Sequence, residues 1–110
     1  MLDLLRDESG MTDMLVNDAQ RGTALATVLG DKPAVLMRGH GVAVTGSSIP
    51  FAVGRSIYLE VNATIQLQAL GLGGSVTYLD PEEARRVVAA GENTGYSRPW
   101  ELWRRSALGQ

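Results

Sequence analysis

The longest uninterrupted stretch of this chain sets the terms for any fold it adopts. Gly46-Ser47-Ser48 leads into a run that predicts one helix, with Pro50 tolerated in its first turn, continuing to about Leu70. Val53, Ile57, Thr64 and Leu67 fall on one side of it, and Phe51, Tyr58, Ile65 and Ala69 on another. The helix is therefore apolar nearly all round and needs cover on more than one face. Such a helix belongs inside an assembly or at a subunit contact. Glu60, Asn62, Gln66 and Gln68 interrupt it, which argues against a bilayer span. Glu60 and Asn62 read as partners for buried polar groups rather than as substrate contacts. Gly71-Leu72-Gly73-Gly74 ends the helix. Because these glycines follow a helix and do not open one, they read as a C-terminal cap, not a phosphate loop.

Length and composition bound what such a helix can serve. With 110 residues, 45% hydrophobic and 20% charged, the chain is read as one compact domain over 1–110. Folding alone, it would bury about two-thirds of its unfolded surface. A formal net charge of -2 gives no drive toward a phosphate backbone or an anionic membrane, so nucleic acid and membrane are disfavoured partners. The absence of cysteine leaves nitrogen and oxygen as the only donors for a metal. The start, Met1 to Glu8, places acids where a signal peptide needs a basic region, and the expected location is the cytoplasm.

Punctuation elsewhere is clear. Residues 1 to 16 read as an extended piece and a loop, with a turn signal at Asp7-Glu8-Ser9-Gly10. Asn17 or Asp18 can cap a helix whose Gly22, Leu25, Ala26 and Leu29 share a face, with Gly30 just past its end. After the turn at Asp31-Lys32-Pro33, two apolar runs, Ala34 to Met37 and Val42 to Val44, read as strands paired or consecutive in one sheet. Asp80-Pro81-Glu82-Glu83 predicts a helix start: an acceptor at the cap, proline at N1, acids in the first turn, and Glu83 closing a capping box. That helix should stop at Gly91. A polar loop from Glu92 to Tyr96 should follow, then Ser97-Arg98-Pro99 and a final helix with Trp100 and Trp103 one turn apart as a packing stripe.

The single histidine, His40, lies between two glycines in Arg38-Gly39-His40-Gly41, at the junction of the two strand runs. Neighbours without a Cβ let backbone come close to whatever the ring touches. This is the form of a ligand position, and equally of a turn histidine bonded to solvent or a carbonyl. Arg38 could orient a carboxylate or form a surface ion pair. Tyr58, inside the long helix, reads as a buried structural tyrosine.

From about Thr12 to Leu108 the chain resembles the C-terminal portion of the class II aldolase/adducin family. The carrying residues are Thr12 to Val16, Leu36-Met37-Arg38-Gly39-His40-Gly41-Val42, Ile57-Tyr58-Leu59-Glu60 with Asn62-Ala63, and Gln66 to Leu70. The tail Arg98-Pro99-Trp100-Glu101-Leu102-Trp103 further resembles the members that are non-oxidative decarboxylases. The resemblance implies an α/β class, with this chain as a partial domain of an α/β/α layered fold whose sheet is mainly antiparallel. It implies tetramers with active sites at subunit interfaces. It also implies one divalent metal ion, zinc in many members and manganese in some decarboxylases, on three histidines. His40 matches the one in Gly-His-Gly. The other two belong to a His-x-His motif in an N-terminal half, and no histidine precedes His40 here. Some family aldolases use a C-terminal tyrosine as proton donor. Tyr96 is its nearest analogue, and the resemblance is too loose to carry the role over.

One imidazole cannot make a catalytic metal site, which needs about three protein ligands and an open position. The resemblance therefore implies the C-terminal portion of a metal-dependent carbon–carbon lyase, an aldolase or a decarboxylase, acting on a small hydroxy or oxo acid or a sugar-phosphate-like substrate. It would be inactive alone, either truncated or completed by a separate N-terminal chain, and a homo-oligomer or that separate chain is the expected protein partner. The alternative is an adducin-like structural or interaction domain that keeps the fold without the chemistry. A third reading is a free-standing small domain with another job.

Overall fold

The computed structural model describes Asp13, residues 15–94 and residues 96–110, with residues 91–94 as backbone alone. Most of the expected extended start over residues 1–16 lies outside the described residues. The chain forms two compact units that divide between Thr45 and Gly46, and each is taken by itself.

The first unit holds helix α1, Ala19–Leu29, and strands β1, Ala34–Met37, and β2, Gly41–Val44. Of the two candidate caps, Asp18 serves: its carboxylate accepts from the Arg21 amide at 2.8 Å, satisfying one of the unpaired donors of the first turn. The Arg21 side chain donates to the Asp13 carboxylate at 2.7 Å, the Leu15 carbonyl at 2.9 Å and the Asn17 side chain at 3.0 Å. One guanidinium thus ties the entering segment to the helix start. Gly30, at φ 54°, donates to the Ala26 carbonyl at 2.9 Å and ends the helix. The strands pair antiparallel with Leu36 opposite Val42 and Met37 opposite Gly41. Alternation along β1 sends Val35 and Met37 inward, 7% and 9% exposed, onto Val16, Leu25, Leu29 and Ala43. Leu36 between them is 54% exposed. The sheet's outer face is therefore apolar as well.

The second unit holds α2, Ile49–Gly71, α3, Pro81–Thr94, and α4, Ser97–Ala107. The long helix spans the predicted residues, with Pro50 in its first turn. Its first half packs on α4 through aromatic rings. Tyr96, at the start of α4, stacks on Tyr58 and meets Phe51 edge-on, with centroids 5.9 Å and 5.4 Å apart. Trp103 adds contacts at 6.3 Å to both Tyr58 and Tyr96, so this tryptophan of the predicted stripe packs within its own chain. Gly54 is the buried residue of α2; a Cβ there would stand 2.6 Å from the Tyr96 ring. Tyr58 itself is not buried as expected but half-exposed at the margin of the cluster.

At α3 the capping box forms as predicted. The Asp80 amide donates to the Glu83 carboxylate at 3.1 Å, and the Asp80 carboxylate accepts from the Glu82 amide at 2.8 Å. The predicted stop at Gly91 is wrong, because the helix runs on through Thr94. A glycine inside a helix costs only about 1 kcal/mol relative to alanine, and Glu92-Asn93-Thr94 contains no proline to break the next turn. The expected polar loop from Glu92 is thereby mostly helix. Helices with a small antiparallel two-strand sheet are compatible with the α/β class.

Candidate functional site

His40 stands at the tip of the hairpin formed by β1 and β2. The strands end at the facing pair Met37 and Gly41, leaving a three-residue loop, Arg38-Gly39-His40. The His40 amide donates to the Met37 carbonyl at 3.3 Å, closing a four-residue turn whose third member, Gly39, has φ 67°. A positive φ at that position is what glycine tolerates and side-chain-bearing residues resist. Gly41 follows at φ 149°. The two glycines that flank the imidazole are thus required by the backbone path. They turn the chain within three residues and leave Arg38, Gly39 and His40 exposed. A short hairpin anchored by Val35 and Met37 presents one imidazole to whatever approaches its tip.

The other singled-out residues belong to the second unit. Tyr96 belongs to the second unit, where its ring is held in the aromatic cluster against Gly54. Its backbone carbonyl accepts from the Trp100 amide at 2.7 Å in the first turn of α4. Glu60, expected to partner buried groups, is exposed and accepts from the Thr64 hydroxyl at 3.2 Å, one turn along its own helix. Asn62 is exposed too. Among the described residues, no group of three or more histidine, aspartate or glutamate side chains is placed to hold a metal ion.

The Leu15 amide, opposed by desolvation and then joined by the charge and hydrogen bond of Arg21, holds the Asp13 carboxyl below its ordinary range. Hydrogen bonds from Arg85 and then Arg86 do the same for Glu82. Both acids anchor helix starts and exposed ion pairs. The Tyr96–Gly54 contact is the feature that sequence reasoning missed. Its signal was present, since a lone glycine inside a long helix marks a close approach of another group.

The sequence profile of the Class II Aldolase and Adducin N-terminal domain matches residues 3–67, more than half of the chain. The chain belongs to the class II aldolase and adducin family. That matched stretch contains the whole hairpin and its histidine. Among curated relatives, the family member is similar to the 3,4-dihydroxyphthalate decarboxylase of Rhodococcus jostii (strain RHA1), 29% identical over 87 residues, which cover 79% of this chain and 36% of that protein. It is 30% identical over 113 residues to the decarboxylase tropJ of Talaromyces stipitatus, covering 87% of this chain and 42% of that protein. To the 3,4-dihydroxyphthalate decarboxylase of Terrabacter sp. it is 33% identical over 82 residues, 73% of this chain and 34% of that protein. The chain thus spans roughly a third to two-fifths of the length of these relatives. No solved structure gives a significant match. Enzymes of the class II aldolase family generally depend on a divalent metal ion.

Proposed function

We propose that this chain is one portion of a divalent-metal-dependent carbon–carbon lyase, with His40 as the ligand it contributes. The observation that carries this reading is the placement of the sole histidine. It is exposed at a hairpin tip, between two glycines with positive φ, inside the segment that matches the family. A neutral imidazole is the commonest protein ligand for metal ions and suits zinc, while manganese would need more oxygen donors beside it. The remaining ligands would come from outside the described residues, and the chain alone would be inactive.

Between aldol cleavage and decarboxylation, the relatives support decarboxylation, since those compared above are named decarboxylases. The substrate class is then a small hydroxylated acid, with 3,4-dihydroxyphthalate as the first compound to try. In a non-oxidative decarboxylation one carboxylate leaves as carbon dioxide and a proton takes its place on carbon, so no external oxidant or reductant is needed. Tyr96 receives no proton-transfer role here, because the function its ring position supports is packing against Gly54. The two units would form part of a larger α/β/α layered fold with a mainly antiparallel sheet, in which the single partial domain over 1–110 finds its cover.

Carbon dioxide release tests the reading. The chain is co-expressed with the portion of the Rhodococcus jostii enzyme that it does not span, and the product is supplied with zinc or manganese and 3,4-dihydroxyphthalate. Release is expected for the wild-type chain and is expected to vanish with His40→Gln. Assembly that binds no metal and releases nothing would return the chain to an adducin-like binding role.

A further inference from the structure

Arg38 shares the hairpin tip with His40. The loop between the facing pair Met37 and Gly41 is Arg38-Gly39-His40, so these two residues carry its side chains, and both are exposed. Across one intervening residue their Cα atoms stand no more than about 7 Å apart even in extended chain. The segment is folded tighter than that, since the His40 amide donates to the Met37 carbonyl at 3.3 Å and Gly39 turns the backbone at φ 67°. The inward-facing Val35 and Met37, 7% and 9% exposed, anchor the strands beneath. One small molecule at the tip is therefore within reach of a guanidinium and an imidazole together.

The two groups select different partners. A neutral imidazole offers a nitrogen lone pair to a metal ion. A guanidinium only donates and stays charged, so it cannot be a ligand, but its planar fork matches a carboxylate with two parallel hydrogen bonds. A fixed cation two residues from a metal ligand repels the ion, and an anion lying between them turns that repulsion into two attractions.

Decarboxylation decides which carboxylate that anion is. The group that departs as carbon dioxide gives up its charge, its bonding electron pair staying on carbon to be taken by a proton. A cation held on it would bind the ground state more tightly than the transition state and slow the step. A carboxylate that stays keeps its charge throughout, so a cation on it contributes binding without raising the barrier.

We infer that Arg38 binds the retained carboxylate of a small dicarboxylic acid whose reacting end faces His40, and so selects diacids over monoacids. This rests on the reading of His40 as a ligand in a lyase site.

The test is a nuclear magnetic resonance titration of the 110-residue chain, read at the Arg38 side-chain Nε–Hε signal and the His40 imidazole. Phthalate, a diacid without the hydroxyl groups, and benzoate, its monoacid counterpart, are added with and without zinc. With zinc present, phthalate is expected to move the Arg38 signal at least about threefold further than benzoate does, as a bidentate contact on a second carboxylate requires. It should also move Arg38 further than Arg98 and Arg105, exposed arginines of α4. An Arg38 signal that responds equally to the two acids, or no more than those of α4, would overturn the inference. In the carbon dioxide assay, Arg38→Gln is expected to raise the KM for 3,4-dihydroxyphthalate about tenfold or more while kcat stays within about twofold of wild type. Arg38→Lys, which keeps the charge and loses the fork, should fall between them. A lowered kcat at unchanged KM would overturn the assignment to the retained carboxylate. The two readings fail separately. His40 signals that follow zinc beside an Arg38 signal indifferent to phthalate refute the role of Arg38 alone. An Arg38 signal that prefers phthalate beside His40 signals that ignore zinc refutes the lyase reading alone.

Discussion

The two halves of α2 are built from similar side chains and meet different surroundings. From Ile49 to about Leu59 the helix is mostly half-buried, held by Tyr96 and Trp103 across Phe51, Gly54 and Tyr58. From Val61 to Gln68 every residue is exposed, with Leu67 at 70%. The backbone is helical throughout, so the difference does not lie in local propensity. It lies in cover, and burying one such Leu or Ile is worth roughly 1.5–3 kcal/mol. A helix forms from its own hydrogen bonds, while the stabilisation of its apolar face has to arrive from another part of a molecule.

The sharpest way to break this contrast is to remove the cover from the first half. Tyr96→Ala should destabilise the second unit by about 2–4 kcal/mol, somewhat below the cost for a fully buried aromatic. A thermal melt and loss of the near-ultraviolet dichroism of the cluster would read it. Gly54→Ala comes next. Alanine favours a helix by about 1 kcal/mol over glycine, but its Cβ meets the Tyr96 ring at 2.6 Å, and overpacking costs about 1–3 kcal/mol. A net loss is expected, whereas a raised melting midpoint would show the ring to be loosely held.

Asp18→Ala tests whether α1 depends on its cap, with an expected loss of about 1 kcal/mol in urea unfolding. The pH response is smaller. Asp13 and Glu82 are both held below their ordinary values of 3.8 and 4.5. Their contribution is therefore fully present above those values and disappears as pH falls through the lowered folded values. The Leu15 amide and the Arg21 guanidinium resonances, both donors to the Asp13 carboxylate, should shift in that acid range and stay fixed near neutrality. Smallest of all, Ile65→Glu in the bare half should change the stability of the isolated chain by no more than about 0.5 kcal/mol. A loss of 2 kcal/mol or more, the scale of a buried apolar side chain, would mean that this half already has cover.

What could be read directly from the sequence was what short-range chemistry decides. The hairpin strands, the Asp80-Pro81-Glu82-Glu83 start and the span of α2 each depend on residues within a few positions of one another, and each appears close to where its pattern placed it. The end of α3 was misplaced because glycine only discourages a helix, and nothing after Gly91 enforced a stop. Tyr58 and Glu60 were misjudged for a different reason. Burial depends on what packs from outside the helix, and the predicted all-round apolarity did not say which half would find a partner. His40 was legible as a position, since Gly39 and Gly41 announce a backbone that only glycine adopts easily. Its chemistry was not, because a ligand set is a property of groups that meet in space.

A zinc titration of the isolated chain, followed through the imidazole resonances of its single histidine, bears most directly on the claim that these residues supply one ligand to a site completed elsewhere. The account predicts that the His40 signals move progressively in fast exchange without saturating at one equivalent, and that His40→Gln removes the response. One equivalent of zinc held tightly by the chain alone, or His40 signals that do not move, would contradict it.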